Sequence, residues 1–123
     1  MKIEADFRVL VVEDEALISM LIEDMLSDIG CQRIVAAATV EAALAAIDRS
    51  PPAFAMLDIN LNGKRSFPVA DELISRRIPF VFLSGYGSRG LDGAYQDVKT
   101  LQKPFQIDDL EGALDEMFAI RVG

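Results

Sequence analysis

Five residues with chemically active side chains each come at the end of a short apolar run of the sequence. Glu13 and Asp14 follow "FRVLVV", Asp58 follows "AFAML", Ser84 follows "PFVFL" and Lys103 follows "TLQ". Carboxylate oxygens are the ligands that Mg²⁺ prefers in proteins. A lysine and a hydroxyl group can bind the oxygens of a phosphoryl group. These residue types therefore suit phosphoryl chemistry, provided that the fold brings them together.

The composition excludes several other kinds of chemistry. The 123 residues include one cysteine, Cys31, and no histidine. An internal disulfide, a thiolate or imidazole metal cluster and a histidine base are therefore excluded. The net charge of −8 disfavours direct binding to nucleic acid or to anionic membranes. No apolar stretch is long enough for a signal peptide or a membrane span, so we expect a cytoplasmic protein with one domain, residues 1–123.

Short apolar runs alternate with longer segments of helical periodicity, which predicts strand–helix units around a parallel sheet. The predicted strands are apolar almost throughout, as strands covered on both faces should be. Thr39 can cap the second helix, and Pro68 suits the start of the third. The predicted strands are Phe7–Val12, Arg33–Ala37, Ala53–Leu57, Pro79–Leu83 and Thr100–Gln102, and the predicted helices are Glu15–Ile29, Val40–Arg49, Pro68–Arg77 and Asp108–Ala119.

The segment "GYGSRGLDGAYQDVK", residues 85–99, differs from the rest of the chain. It contains four glycines within fifteen residues. Each glycine inside a helix is less favourable than alanine by about 1 kcal/mol. The fourth helix of the repeating pattern is therefore predicted to be short, frayed or absent.

The predicted sheet explains why acidic residues follow buried strands. The carboxyl ends of parallel strands lie along one edge of the sheet, where ligands bind. We expect Asp14 and Asp58 to be direct Mg²⁺ ligands there, with the backbone carbonyl of Asn60 as a third ligand. Glu13 would act through a water molecule. A metal site of this kind leaves one ionised carboxylate able to serve as a nucleophile toward phosphorus.

Two further side chains would assist this chemistry. Lys103 would place a positive charge at a phosphoryl oxygen, and Ser84 would donate a hydrogen bond from its hydroxyl group. Each residue also has an ordinary structural explanation. The acids at residues 13–15 could stabilise the first turn of a helix, and Asp58 could form a turn. Ser84 could likewise belong to a turn, and Lys103 could be a solvated surface lysine.

The ordered segments "VLVVEDE", "AMLDINLNG", "FVFLSGYG" and "LQKPF" resemble the receiver domain of two-component response regulators. The resemblance covers nearly the whole chain. It implies a flavodoxin-like five-stranded sheet with strand order 2-1-3-4-5. It also implies that Asp58 accepts a phosphoryl group from a sensor histidine kinase or a phosphotransferase protein. Glu13 and Asp14 would hold Mg²⁺, Ser84 would be the hydroxyl switch residue, and Lys103 would contact the phosphoryl group.

The sequence departs from the family pattern in two places. Thr100 stands where the family usually has an aromatic switch residue three positions before the lysine. Tyr86 could replace that aromatic residue, because "LSGYG" resembles a branch of stand-alone receivers with a Gly-Tyr-Gly stretch. Alternatively, Tyr86 could be a core residue, because aromatic residues near strand ends commonly pack. The glycine-rich segment is the second departure, and we expect it to be mobile until phosphorylation orders it.

Three functions are compatible with these residues. The first is a receiver that signals through a separate, unknown protein partner or acts as a phosphoryl carrier or sink. The second is a pseudo-receiver that binds partners without phosphorylation. The third is a small phosphatase with an aspartyl-phosphate intermediate. Such phosphatases usually have a second aspartate at the position of Asn60 and a substrate-selecting cap, for which this chain has no room.

Overall fold

The computed structural model describes residues 3–85, 95 and 97–118. The described strands and helices follow the order that the sequence predicts, apart from two short additional strands after the third strand. The strands are β1 (Arg8–Val12), β2 (Arg33–Ala37), β3 (Phe54–Asp58), β4 (Asn60–Leu61), β5 (Lys64–Arg65), β6 (Phe80–Ser84) and β7 (Thr100–Gln102), and the helices are α1 (Ala16–Ile29), α2 (Val40–Arg49), α3 (Phe67–Ser75) and α4 (Ile107–Phe118).

Five strands form one parallel sheet in the order β2-β1-β3-β6-β7. The predicted order 2-1-3-4-5 is confirmed, because β6 and β7 are the fourth and fifth strands of this sheet. Strands β3 and β6 are buried along their whole length, which explains why their sequences are almost entirely apolar. Within the described part of the chain, no helix combines the length and apolarity needed to cross a membrane.

Each face of the sheet packs against two of the described helices. On one face, Leu10 of β1 belongs to a buried cluster with Leu73 of α3. On the other face, the neighbouring Val11 packs in a second cluster with Leu26 of α1 and Leu114 of α4. Successive residues of a strand point to opposite faces, so one apolar strand supplies both cores. The sheet is thus held rigidly between the two helical layers, and its edge is a firm support for a site.

The structure corrects some predicted boundaries by one or two residues. Strand β3 includes Asp58 and β6 includes Ser84, so these site candidates are the last residues of their strands. Helix α3 ends at Ser75 rather than near Arg77. Arg77 adopts a positive φ of 59°, and its N–H donates to the carbonyl of Ile74. A left-handed residue of this kind ends a helix.

A short hairpin, β4–β5, directly follows Asp58 and is not among the predicted strands. Asn60 pairs with Arg65, and Leu61 pairs with Lys64. The two turn residues between them, Asn62 and Gly63, have positive φ values of 52° and 85°. Asn-Gly at the centre of a two-residue turn is a strong hairpin signal. The strands on either side are only two residues long, too short to show the alternating pattern of a strand.

Thr39 caps helix α2 as the sequence predicts, since its hydroxyl oxygen accepts the N–H of Ala42 at 3.0 Å. We expect Thr39→Ala to lower the free energy of unfolding by about 1 kcal/mol, because it leaves a helix N–H group without its partner. Thr39→Ser, which keeps the hydroxyl group, should stay close to wild type. Urea unfolding monitored by circular dichroism measures both variants. Equal midpoints for Thr39→Ala and wild type would contradict the capping role.

Three predictions rest on residues that lie mostly outside the described part of the chain. These are the short or absent fourth helix, the mobility of the glycine-rich segment and the switch role of Tyr86. At the end of that segment, Tyr95 is described and buried. Its ring stacks on Phe67 with centroids 4.6 Å apart, and its hydroxyl group donates to Asp71 at 2.5 Å. These contacts attach residue 95 to helix α3.

Candidate functional site

The carboxyl ends of four strands bring the predicted site residues to one edge of the sheet. Glu13 and Asp14 directly follow β1, and Lys103 directly follows β7. Asp58 ends β3 and pairs in register with Leu83, next to Ser84 at the end of β6. Residues as far apart as 13 and 103 in the sequence therefore lie side by side, as the parallel arrangement predicts.

Three carboxylates form a compact cluster at this edge. Glu13, Asp14 and Asp58 each have an oxygen within 4.8 Å of the others. Glu13 is only 2% exposed and Asp58 only 8% exposed. The ordinary explanation that acids of residues 13–15 serve the first turn of α1 is wrong for Glu13 and Asp14. Helix α1, which lies wholly within the described residues, begins at Ala16 and has no acid in its first turn.

Lys103 bridges two of these carboxylates. Its Nζ atom lies 2.8 Å from Oε1 of Glu13 and 3.1 Å from Oδ2 of Asp58. Lys103 is therefore not a freely solvated surface residue. Among the residues that the structure describes, one ammonium group faces three carboxyl groups, so the cluster keeps an excess of negative charge when all are ionised. A site with this balance favours the binding of a divalent cation.

The burial of the cluster changes its acid–base properties. Burial is the main cause that raises the pKa of Glu13, from 4.5 to about 7, and the neighbouring Asp58 raises it further while Lys103 opposes the increase. Burial alone would lower the pKa of the Lys103 ammonium group. The hydrogen bond to Glu13 and the charge of Asp58 outweigh burial, so the pKa of Lys103 is raised. Lys103 thus stays positively charged at neutral pH.

Backbone N–H groups orient all three carboxylates. The N–H of Glu15 donates to Oε2 of Glu13 at 3.2 Å. The N–H of Asn60 donates to Oδ1 of Asp58 at 3.3 Å, so Asp58 does form the turn contact that its sequence context suggests. The N–H of Asn62 donates to Oδ2 of Asp14 at 3.1 Å. The surrounding backbone therefore fixes the orientation of all three carboxylates.

Ser84 and Thr100 lie on the neighbouring strands β6 and β7. Ser84 is buried, and its carbonyl accepts the N–H of Lys103 at 2.8 Å, which fixes the backbone of the lysine beside the cluster. Thr100 pairs with Phe82 in the register of these strands. The Thr100 hydroxyl oxygen is buried and has no hydrogen-bond partner among the described residues. A small residue thus occupies the position where the resemblance leads one to expect an aromatic ring.

We expect Lys103→Met to lower the free energy of unfolding by about 3 kcal/mol at pH 8, because the substitution leaves buried carboxylates without their counter-charge. The loss should shrink at pH 5, where Glu13 is protonated. Lys64→Met is a matched control, because the Lys64 side chain is 69% exposed and its ion pair with Glu41 spans 3.6 Å. That control should change stability by less than about 1 kcal/mol. Equal effects of the two variants in urea unfolding would contradict the bridging role of Lys103.

The fold and this edge define a receiver domain, and the comparison with known families agrees. The chain belongs to the response regulator receiver domain family, whose model matches residues 9–115. The family takes part in two-component signalling, and its members are typically signalling domains without enzymatic activity. The predicted flavodoxin-like fold and the predicted family are therefore confirmed.

Several known proteins are similar to this chain. It is 32% identical over 112 residues to the transcriptional regulatory protein PdtaR of Mycobacterium tuberculosis, an alignment covering 88% of this chain and 55% of PdtaR. The chain thus spans about half the length of the curated relatives it matches. The solution structure of SdrG from Sphingomonas melonis Fr1 has a TM-score of 0.81 at 38% identity, covering 94% of this chain and 99% of SdrG. The receiver domain of PhyR from Erythrobacter litoralis has a TM-score of 0.81 at 26% identity, and the alignment covers 95% of this chain and 93% of the PhyR domain.

Proposed function

We propose that Asp58 accepts a phosphoryl group from a phosphohistidine of a sensor histidine kinase or a phosphotransferase protein, in a reaction that depends on Mg²⁺. The phosphorylated domain then presents a changed surface to a downstream protein partner, or it acts as a carrier or sink of phosphoryl groups. The observation that carries this proposal is the contact of Lys103 with both Glu13 and Asp58, beside the carboxylate of Asp14. This arrangement places the Asp58 carboxylate next to a positive charge and next to further carboxylates that can bind a cation.

Each residue of the site has a defined task in this proposal. A carboxylate oxygen of Asp58 attacks phosphorus, the phosphorus–nitrogen bond of the donor breaks, and the ring nitrogen leaves with the electron pair. Lys103 then exchanges its contact with Asp58 for a phosphoryl oxygen, to which its ammonium group brings a compensating charge. The Ser84 hydroxyl group donates to another phosphoryl oxygen. That contact makes Ser84 the switch residue that reports phosphorylation to the rest of the domain.

The carboxylate cluster fits a Mg²⁺ ion. Asp14, Asp58 and the backbone carbonyl of Asn60 would hold the ion directly, and Glu13 would contact it through water. When bound, Mg²⁺ neutralises part of the negative charge that the acceptor and the phosphoryl group bring together. Because Lys103 supplies a single positive charge, the described residues alone leave this neutralisation incomplete.

The alternatives are less well supported by the described residues. A pseudo-receiver has no use for three clustered carboxylates, which destabilise the fold by mutual repulsion. A phosphatase of the related kind needs a second acid at the position of Asn60, where an amide stands. The cytoplasmic location, the switch role of Tyr86 and the ordering of residues 85–98 on phosphorylation stay predictions.

Binding of beryllofluoride, a stable mimic of the phosphoryl group, tests the proposal against the pseudo-receiver. A solution structure shows SdrG from Pseudomonas melonis Fr1 in its BeF3-activated conformation. That structure has a TM-score of 0.79 to this chain at 39% identity, and the alignment covers 94% of this chain and 98% of SdrG. We expect a bound ¹⁹F resonance only when Mg²⁺ is present, and none for Asp58→Asn. Asp48→Asn is a matched control, since the Asp48 side chain is 83% exposed on α2. A wild-type protein without a bound resonance would favour the pseudo-receiver.

A further inference from the structure

The hairpin β4–β5 is in direct contact with two of the three clustered carboxylates. Its first residue, Asn60, donates its N–H to Asp58. Its turn residue, Asn62, donates its N–H to Asp14, 48 positions away in the sequence. Neither contact uses the side chain of the donor. The hairpin therefore acts on the cluster through its backbone shape rather than through its side chains.

The register of the hairpin decides where the carbonyl of Asn60 points. The N–H of Ser66 donates to the carbonyl of Ile59 at 2.9 Å. In antiparallel pairs, hydrogen-bonded and non-hydrogen-bonded rungs alternate, so the next rung, between Asn60 and Arg65, is not hydrogen-bonded. Both backbone groups of Asn60 thus face away from β5. The N–H and the carbonyl of one strand residue face the same side, and the N–H of Asn60 reaches Asp58, so we expect its carbonyl to face the carboxylate cluster.

Side chains of both strands of the hairpin contact the rest of the domain. Leu61 is buried in the core cluster on the α2 and α3 side of the sheet. On the outer side, Lys64 pairs with Glu41 of α2, and the guanidinium group of Arg65 lies 5.9 Å from the ring centroid of Phe67. The turn itself requires positive φ at both central residues, and Gly63 adopts a φ of 85°. A Cβ atom at residue 63 would meet no atom within 4 Å, so the effect of an alanine there would be on backbone conformation alone.

We infer that the β4–β5 hairpin is a positioning element for the cation site. Its register presents the Asn60 carbonyl to the cluster, and the Asn62 N–H fixes the carboxylate of Asp14 in the orientation that the cation requires. This inference rests on the proposed function, because it assigns the origin of the Mg²⁺ site's geometry. Residues 62 and 63 are thus positioning residues that contact neither the cation nor the phosphoryl group.

Mg²⁺ titration by calorimetry, with no phosphodonor present, tests this inference. Gly63→Ala should weaken Mg²⁺ binding by about tenfold, because alanine is disfavoured in the left-handed conformation that the turn requires. Asn62→Gly keeps a residue that tolerates positive φ, and it should bind Mg²⁺ within about threefold of wild type. Gly112→Ala is a matched control, because Gly112 lies on α4 with open space around it. It should leave the affinity unchanged.

A second measurement uses the wild type and needs no variant. Mg²⁺ should slow the hydrogen exchange of the Asn62 amide, because the bound state holds Asp14, its acceptor, in place. The inference would be overturned if wild type and Gly63→Ala bound Mg²⁺ with equal affinity, or if Mg²⁺ did not change the exchange rate of the Asn62 amide. Either result would leave the proposed function intact. A wild type that binds no Mg²⁺ would overturn both.

Discussion

Asp58→Asn should be more stable than wild type in Mg²⁺-free buffer at pH 8, by about 1–3 kcal/mol. Glu13, Asp14 and Asp58 lie within 4.8 Å of one another, and Lys103 compensates only part of their charge. Asparagine keeps the shape of the side chain and an oxygen that can accept the N–H of Asn60. Removing one negative charge therefore relieves repulsion and leaves Lys103 paired with Glu13.

Mg²⁺ should reverse this order of stability. A cation that binds only the folded state stabilises it by about 3 kcal/mol at a hundred times its dissociation constant. Wild type should gain this amount, whereas Asp58→Asn has lost a ligand and should gain much less. Thermal unfolding with EDTA and with saturating Mg²⁺ measures the stability of both proteins under both conditions. Asp48→Asn should have the stability of wild type in either condition. A variant that is less stable than wild type with EDTA would contradict the clustered-acid account.

Metal-free wild type should lose stability as the pH rises from about 4.5 to 7. In this range folded Glu13 keeps its proton, because its pKa is raised from 4.5 to about 7, whereas the unfolded chain has released it. The unfolded state thus binds fewer protons, so raising the pH favours unfolding. The full difference amounts to about 3 kcal/mol, since one pKa unit corresponds to about 1.4 kcal/mol. The loss is complete above pH 7.

Glu13→Gln isolates this contribution, because glutamine cannot titrate. Its stability should change less with pH than that of wild type over the same range, and the two curves should converge toward pH 4. Urea unfolding in EDTA at several pH values gives the comparison. Parallel curves for the two proteins would show that burial of Glu13 does not control the pH dependence.

The fold could be predicted because the signals that specify it are local. Three elements begin and end at the predicted residues: the strands Arg33–Ala37 and Thr100–Gln102 and the helix Val40–Arg49. Their ends depend on nearby caps, prolines and the change from short apolar runs to helical periodicity. The convergence of Asp58 and Lys103 also followed from sequence, since parallel strands share one edge.

Other features depend on distances between side chains that sequence patterns do not contain. The sequence predicts that Lys103 contacts a phosphoryl oxygen, but it does not predict that Lys103 also contacts Glu13 and Asp58, residues 90 and 45 positions away. The depth at which Glu13 is buried follows from packing around the strand end rather than from its neighbours in sequence. The Asn-Gly turn after Asp58 was visible, but its contact with Asp14 required the three-dimensional arrangement.

Phosphorylation of Asp58 can be measured most directly by the intact mass of the protein after incubation with acetyl phosphate. We predict a single phosphoryl adduct on wild type that appears only with Mg²⁺ and is absent from Asp58→Asn. Time points from seconds onward follow both formation and self-hydrolysis of the adduct. An adduct that persists in Asp58→Asn or forms in EDTA, or a wild type that acquires none at any time point, would contradict the account.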